Sequence, residues 1–217
     1  MSSSGKTAVV FGGSGLIGSE LLQLLSADSN YAEVIVFTRR PLNLKKHNID
    51  EIITDFKDLD ALRAQVKGDV VFCCLGTTIN TAGSEKAFRA VDFDLVRWAA
   101  VAASENKVPK FLVISSVGAN ADSKNFYLRT KGEMEKAVTA LNFEQCVVLR
   151  PSMLLGPRKE FRFGESIGKV VMRLFAFLVP ARYKAIQASQ VAKAMLRLAD
   201  EGKFSGIMEN EKLLKVK

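Results

Sequence analysis

The chain has 217 residues, is 48% hydrophobic and carries a formal net charge of +8. Such a length and apolar content suit one compact domain with a substantial core, and no apolar run approaches the roughly 20 residues of a membrane span. The single histidine, His47, argues against histidine-based metal clusters and a Ser-His-Asp triad, and the absence of zinc-finger, RNP and basic-heptad patterns argues against a nucleic-acid partner.

Residues 1–6 lack an apolar signal core and are expected to be disordered. The apolar run Thr7–Gly12 predicts a strand, and Leu16–Leu25 predicts a helix. Between them stands Gly12-Gly13-Ser14-Gly15-Leu16-Ile17-Gly18. Strand, glycine turn and helix stand in the order a dinucleotide-binding unit needs, the alternative being a structural turn that binds nothing. Helix amides and the positive end of the dipole attract a diphosphate. The motif reads as GxGxxG from Gly13 or as GxxGxxG from Gly12. Because the apolar run ends at Phe11, the second register is preferred. Gly12, Ser14, Gly15, Leu16, Ile17 and Gly18 are then cofactor-binding candidates. Gly5-Lys6-Thr7 resembles the end of a P-loop, but it precedes the strand instead of following one, so it receives no phosphate role.

A second strand, Glu33–Thr38, ends in Thr38-Arg39-Arg40. A carboxylate in that place would bind the ribose hydroxyls of NAD. Two guanidiniums stand there instead, matched to a phosphate in charge and geometry. NADP(H) is therefore preferred over NAD(H). The basic net charge is read either as attraction of such anionic ligands or as an ordinary basic surface. His47 falls in a polar loop and receives no role. A third strand, Glu51–Thr54, leads to Asp55-Phe56, where Asp55 either accepts from an adenine amino group or caps the loop. A helix over Asp58–Val66 and a fourth strand over Asp69–Leu75 follow. Leu75-Gly76-Thr77 ends that strand at the edge where backbone passes close to a ligand. Cys73 and Cys74 lie in the same strand as core residues, and with Cys146 they show no framework spacing. Reduced thiols and a cytoplasmic location are expected.

Helical spacing over Ala87–Asn106 places Trp98 in the core, and Pro109 stops the segment. Strands Lys110–Ser115 and Gln145–Leu149 flank a helix over Phe126–Leu141. On that helix Tyr127 and Lys131 are four residues apart and share a face. A lysine beside a tyrosine favours the phenolate, so Tyr127 can exchange a proton with a carbonyl or alcohol. Lys131 can also hold the nicotinamide ribose, and a hydroxyl from Ser115 or Ser116 can hold the substrate oxygen. Helices over Glu165–Leu178 and Ser189–Glu201 and a short strand over Gly206–Glu209 complete the pattern. The alternation predicts an α/β Rossmann-type doubly wound parallel sheet in a single domain, with residues 151–188 as a small substrate-side extension. The basic and aromatic run from Gly156 to Gly164 is read either as a cover favouring an anionic small-molecule substrate or as a solvated loop.

Together Phe72-Cys73-Cys74-Leu75-Gly76-Thr77-Thr78, Val91-Asp92, Ser115-Ser116-Val117-Gly118-Ala119, Tyr127-Leu128-Arg129-Thr130-Lys131-Gly132-Glu133 and Leu149-Arg150-Pro151-Ser152 resemble the short-chain dehydrogenase/reductase superfamily. The resemblance is to its atypical, extended-like branch and to the Tat-interacting-protein oxidoreductase family with its bacterial relatives, over roughly residues 7–200. It implies an NADP(H)-binding oxidoreductase with Tyr127 as acid/base, Lys131 as its partner and Ser116, or else Ser115, as the hydroxyl. Pro151 and Ser152 would line the nicotinamide end. A regulatory NADP(H)-binding protein, or an epimerase or dehydratase on the same scaffold, is the alternative. Asp92 departs from the branch, where many members have Asn. A monomer or homodimer is expected.

Overall fold

The structure, a computed structural model, describes residues 5–44, 46–156 and 180–216. The expected helix over 165–178 and nearly all of the 156–164 segment lie outside the described residues. The first half of the chain runs β1 (Lys6–Phe11), α1 (Leu16–Ala27), β2 (Tyr31–Thr38), β3 (Ile49–Ile53), α2 (Leu59–Arg63), β4 (Val70–Cys73), α3 (Ile79–Ala82), α4 (Glu85–Arg89), a π-helical turn (Ala90–Leu95) and α5 (Val96–Glu105). The second half runs β5 (Lys110–Ile114), α6 (Phe126–Thr139), β6 (Gln145–Arg150), β7 (Leu154–Leu155), a 3-10 turn (Ala181–Tyr183), β8 (Ile186–Gln187), α7 (Ala188–Glu201), β9 (Gly206–Glu209) and α8 (Asn210–Leu213).

Seven strands form one sheet in the order β3-β2-β1-β4-β5-β6-β9, and every pairing is parallel. Strand residues alternate between faces, and the two faces feed separate cores. Ala8, Val10, Phe72, Leu112 and Leu149 pack with α1 and α7, whereas Val9, Phe11, Val71, Val113 and Val148 pack with α5 and α6. This is the doubly wound arrangement predicted from the sequence. The chain changes direction across the sheet between β1 and β4, the position at which such sheets open a crevice beyond their strand ends. Trp98 is core as expected, set edge-on to Phe11, which stacks on Phe37.

Several expectations need correction. Lys6, read as part of a disordered terminus, begins β1 and pairs with Asp200 at 2.7 Å. The fourth strand stops at Cys73, so Cys74 and Leu75 already belong to the loop, although the Cys74 amide still reaches the Phe11 carbonyl. The helix expected over Ala87–Asn106 is three segments, with the π turn in the middle. A two-stranded sheet of β7 and β8 and the short helices α3 and α8 were not foreseen.

Beyond β6, buried Asn210 ties Ser152 to the 181–184 segment. Its Oδ1 accepts from the Ser152 amide at 3.0 Å, and its Nδ2 donates to the carbonyls of Ala181 and Lys184 at 3.1 and 2.8 Å. Removing that amide leaves buried groups without partners, which costs more than the net worth of the bonds. Asn210→Ala is expected to lower the unfolding free energy by about 2–3 kcal/mol in urea titrations. An unchanged midpoint would show that Asn210 does not hold this segment.

Candidate functional site

The glycine turn follows β1 at the sheet's carboxyl edge. Gly12 has φ of +80°, a region costly for any residue with a Cβ. A Cβ there would also lie 2.6 Å from the Cys74 carbonyl, and one on Gly18 would lie 2.2 Å from the Gly12 oxygen. These contacts make Gly12 the turn glycine and Gly18 the helix-packing one, in the GxxGxxG register. Gly15 is the N-cap residue of α1, with no side-chain cap and no acidic residue in the first turn. The first-turn amides of Leu16, Ile17 and Gly18 are therefore the donors that a helix leaves without carbonyl partners. Ser14 and Gly15 are exposed beside them. Uncapped amides at the positive end of a twelve-residue helix fit a bound diphosphate.

At the end of β2, the Thr38 hydroxyl donates to the Arg40 carbonyl at 2.8 Å and sets the turn from which Arg39 and Arg40 project into solvent. Asp55 and Phe56 form a self-contained turn. The Asp55 carboxylate pairs with Lys57 at 2.8 Å and also accepts its amide. Those bonds hold the exposed carboxyl below its ordinary range. Of the two readings for Asp55, loop capping is the one its contacts display. Phe56 takes φ of +59° and packs against the core edge of the same face as Phe37.

Tyr127 and Lys131 lie on one face of α6, as the spacing requires. Tyr127 packs against the buried Phe88 ring, with centroids 5.4 Å apart, while Lys131 reaches inward and is almost fully buried. Its ammonium pairs with Asp92 Oδ1 at 2.8 Å and approaches the Ile114 carbonyl at 3.5 Å. Burial alone would push this amine down. The Asp92 carboxylate, followed by the Tyr127 and Cys73 sites, outweighs burial and raises it above the ordinary lysine value. Asp92 also accepts from the Thr77 amide at 2.8 Å through Oδ2. A Cβ on Gly76 would stand 3.6 Å from Asp92 and 3.8 Å from the Lys131 nitrogen. The Leu75-Gly76-Thr77 loop thus lies over the ion pair.

Ser115 and Ser116 part company. Ser115 is buried and its hydroxyl donates to Glu135, one turn beyond Lys131 on α6. Arg150 binds the same carboxylate, with Nε to Oε1 at 2.8 Å, and reaches Glu209 at 2.9 Å. Hydrogen bonding to Glu135, opposed by burial, holds that guanidinium firmly protonated. Ser116 is half-buried, and among the described residues its hydroxyl makes only a 3.4 Å contact with the next residue's carbonyl. Pro151 is buried, and its carbonyl accepts from the Val117 amide. The Ser152 hydroxyl donates to the Lys184 carbonyl, so it holds the 181–184 segment instead of pointing along the strand end. Sequence reasoning missed Asp92 as a partner of Lys131, and it missed Glu135. The run Tyr127, Lys131, Glu135 repeats every four residues, a signal that all three share a face.

Residues 12–201 match the family model described as NAD(P)H-binding. Protein FMP52, mitochondrial, of Meyerozyma guilliermondii is 33% identical over 89% of this chain and 85% of its own length. Protein HTATIP2 of Rattus norvegicus is 35% identical over 94% of this chain and 85% of its own length. Among solved structures, the Bordetella bronchiseptica enzyme WbmG in complex with NAD superposes with a TM-score of 0.72 at 17% identity, covering 97% of this chain and 74% of that one. UDP-N-acetylglucosamine 4-epimerase from Methanobrevibacter ruminantium gives 0.71 at 21% identity, covering 98% and 81%. At these identities the superpositions speak for the fold alone.

The Ser115 hydroxyl satisfies a buried carboxylate, so its loss is a stability event. Ser115→Ala is expected to cost about 1–3 kcal/mol in chemical unfolding and to leave the binding of adenine dinucleotides within twofold by calorimetry. A stable variant that has lost dinucleotide affinity would contradict this division of labour between the two serines.

Proposed function

The chain belongs to the NAD(P)H-binding family, and from that premise we propose that it is an NADPH-dependent reductase acting on a carbonyl compound, or on the alcohol in reverse. The observation that carries this reading is the pairing of Tyr127 and Lys131 on one face of α6, with the lysine charge buried beneath the Gly76 loop. Bound along the carboxyl edge, the reduced cofactor would supply a hydride. The diphosphate would take the amides of the Gly12–Gly18 turn. Arg39 and Arg40 would take the ribose phosphate, because both are exposed and the described residues show neither in an ion pair.

Tyr127 would give its phenolic proton to the substrate oxygen. Lys131 stabilises the phenolate left behind, since a nearby ammonium favours the charged phenol. Ser116 would orient the same oxygen through its hydroxyl, which Glu135 does not claim. Its neighbour Ser115 is committed to Glu135 and is excluded from that role in this reading.

Charge-assisted bonds to a phosphate are worth about 1.5–3 kcal/mol each, or roughly tenfold or more in affinity. Calorimetry is expected to show NADPH binding at least tenfold tighter than NADH. Replacing Arg39 and Arg40 together with Ala should erase the difference by weakening NADPH alone. Equal affinities in the unaltered chain would refute the arginine argument. For the chemical step, Tyr127→Phe should keep NADPH affinity and lose turnover at least a hundredfold in a carbonyl screen. Undiminished turnover would remove Tyr127 as the acid.

A further inference from the structure

We propose that Asp92 is the positioning residue of the proton-transfer pair: its carboxylate ties the Lys131 ammonium to the Thr77 amide, so that the charge behind Tyr127 and the loop after β4 are fixed as one unit. The inference rests on the reading of Tyr127 and Lys131 given above. Both carboxylate oxygens are engaged, one with Lys131 at 2.8 Å and the other with the Thr77 amide at 2.8 Å. The residue has no exposed surface. It sits in the π-helical turn Ala90–Leu95, and such turns are frequent at functional sites. In the same turn Phe93 lies beneath the Arg89 guanidinium at 4.2 Å, and Arg89 is paired with Glu133 of α6. The π turn is therefore held against α6 by a charged contact near its surface as well as by the buried one.

Lys131 cannot stay charged at this depth unaided, because desolvation strongly disfavours a buried ammonium. The titratable groups facing it are Asp92 from the π turn, Tyr127 from its own helix and Cys73 from β4. Burial pushes the Cys73 thiol up to about 12, so it contributes no charge near neutrality. Glu135, one turn along α6, is engaged by Ser115 and Arg150. Asp92 is thus the group that keeps the amine protonated. The Lys131 ammonium stands 2.8 Å from Asp92 Oδ1 and 3.5 Å from the Ile114 carbonyl.

Asp92→Asn keeps the shape and an acceptor for Thr77 while removing the charge. The test is a pH titration of the Lys131 ε-carbon by NMR in protein labelled with 13C-lysine, with the resonance assigned by its loss in Lys131→Arg. In the unaltered chain the midpoint is expected above the ordinary 10.5. In Asp92→Asn it should fall below the midpoint of the unaltered chain, because the counter-charge is gone while burial remains, and NADPH affinity should begin to weaken at a lower pH in that variant than in the unaltered chain. An equal midpoint in both proteins would overturn the role of Asp92. Should the variant not fold, a midpoint below 10.5 in the unaltered chain overturns it equally. Failure of the unaltered chain to bind NADPH would refute the cofactor reading, and the Lys131 titration would still judge Asp92.

Discussion

An ammonium with almost no exposed surface governs the arrangement of this site. Taking such a charge out of water costs several kcal/mol, and only a well-placed counterion with further hydrogen bonds offsets that cost. Lys131 meets the requirement through Asp92 and the Ile114 carbonyl. The consequence is geometric. α6 must dock against the π turn and β5 at one depth and one rotation, because any other position strands a charge. Tyr127, four residues earlier, inherits its place from that constraint, and Phe88 fills the space beside its ring.

The same helix is fixed again one turn later by a second buried network. Glu135 accepts from Ser115 and from Arg150, and Arg150 continues to Glu209 on the edge strand. The two networks lie on one stripe of α6 and do different work. The first joins the helix to the loop after β4, where a ligand would sit. The second joins it to β5, β6 and β9, far enough along to serve as a foundation. Within this network the Ser115 hydroxyl is already committed to Glu135. On the other side of the β1–β4 crevice the described residues bury no charge. There the close backbone approach of Gly12 to Cys74 brings uncapped helix amides to the sheet edge.

Much of this could be read from the chain. Continuous apolar runs, the pattern of parallel strands buried on both faces, mark β1, β4, β5 and β6, and the glycine turn sits where an apolar strand gives way to an apolar helix face. The spacing of Tyr127 and Lys131 specifies a shared face without any tertiary information. What escaped the sequence depends on convergence between distant segments. Asp92 looks like a substitution on an ordinary helix until Thr77 and Lys131 arrive from elsewhere. The π turn was invisible because one extra residue in a turn barely disturbs the apolar spacing through Phe88, Val96 and Ala99. Ser115 and Ser116 differ by one position at a strand end, so parity decides which faces Glu135, and the strand's last residue is the least certain part of such a reading. The role of Asn210 likewise requires β6 and the 181–184 segment to be side by side.

We propose that one cofactor spans the carboxyl edge from the glycine turn to α6. Backbone amide NMR with two ligands tests it most directly. Adenosine 2′,5′-bisphosphate should shift amides at Arg39, Arg40 and the Gly12–Gly18 turn and leave Thr77 and Ser116 unmoved. NADPH should shift those and, in addition, Thr77, Ser116 and the first turns of α6. Identical patterns for the two ligands, or shifts by NADPH confined to another face of the sheet, would contradict the account.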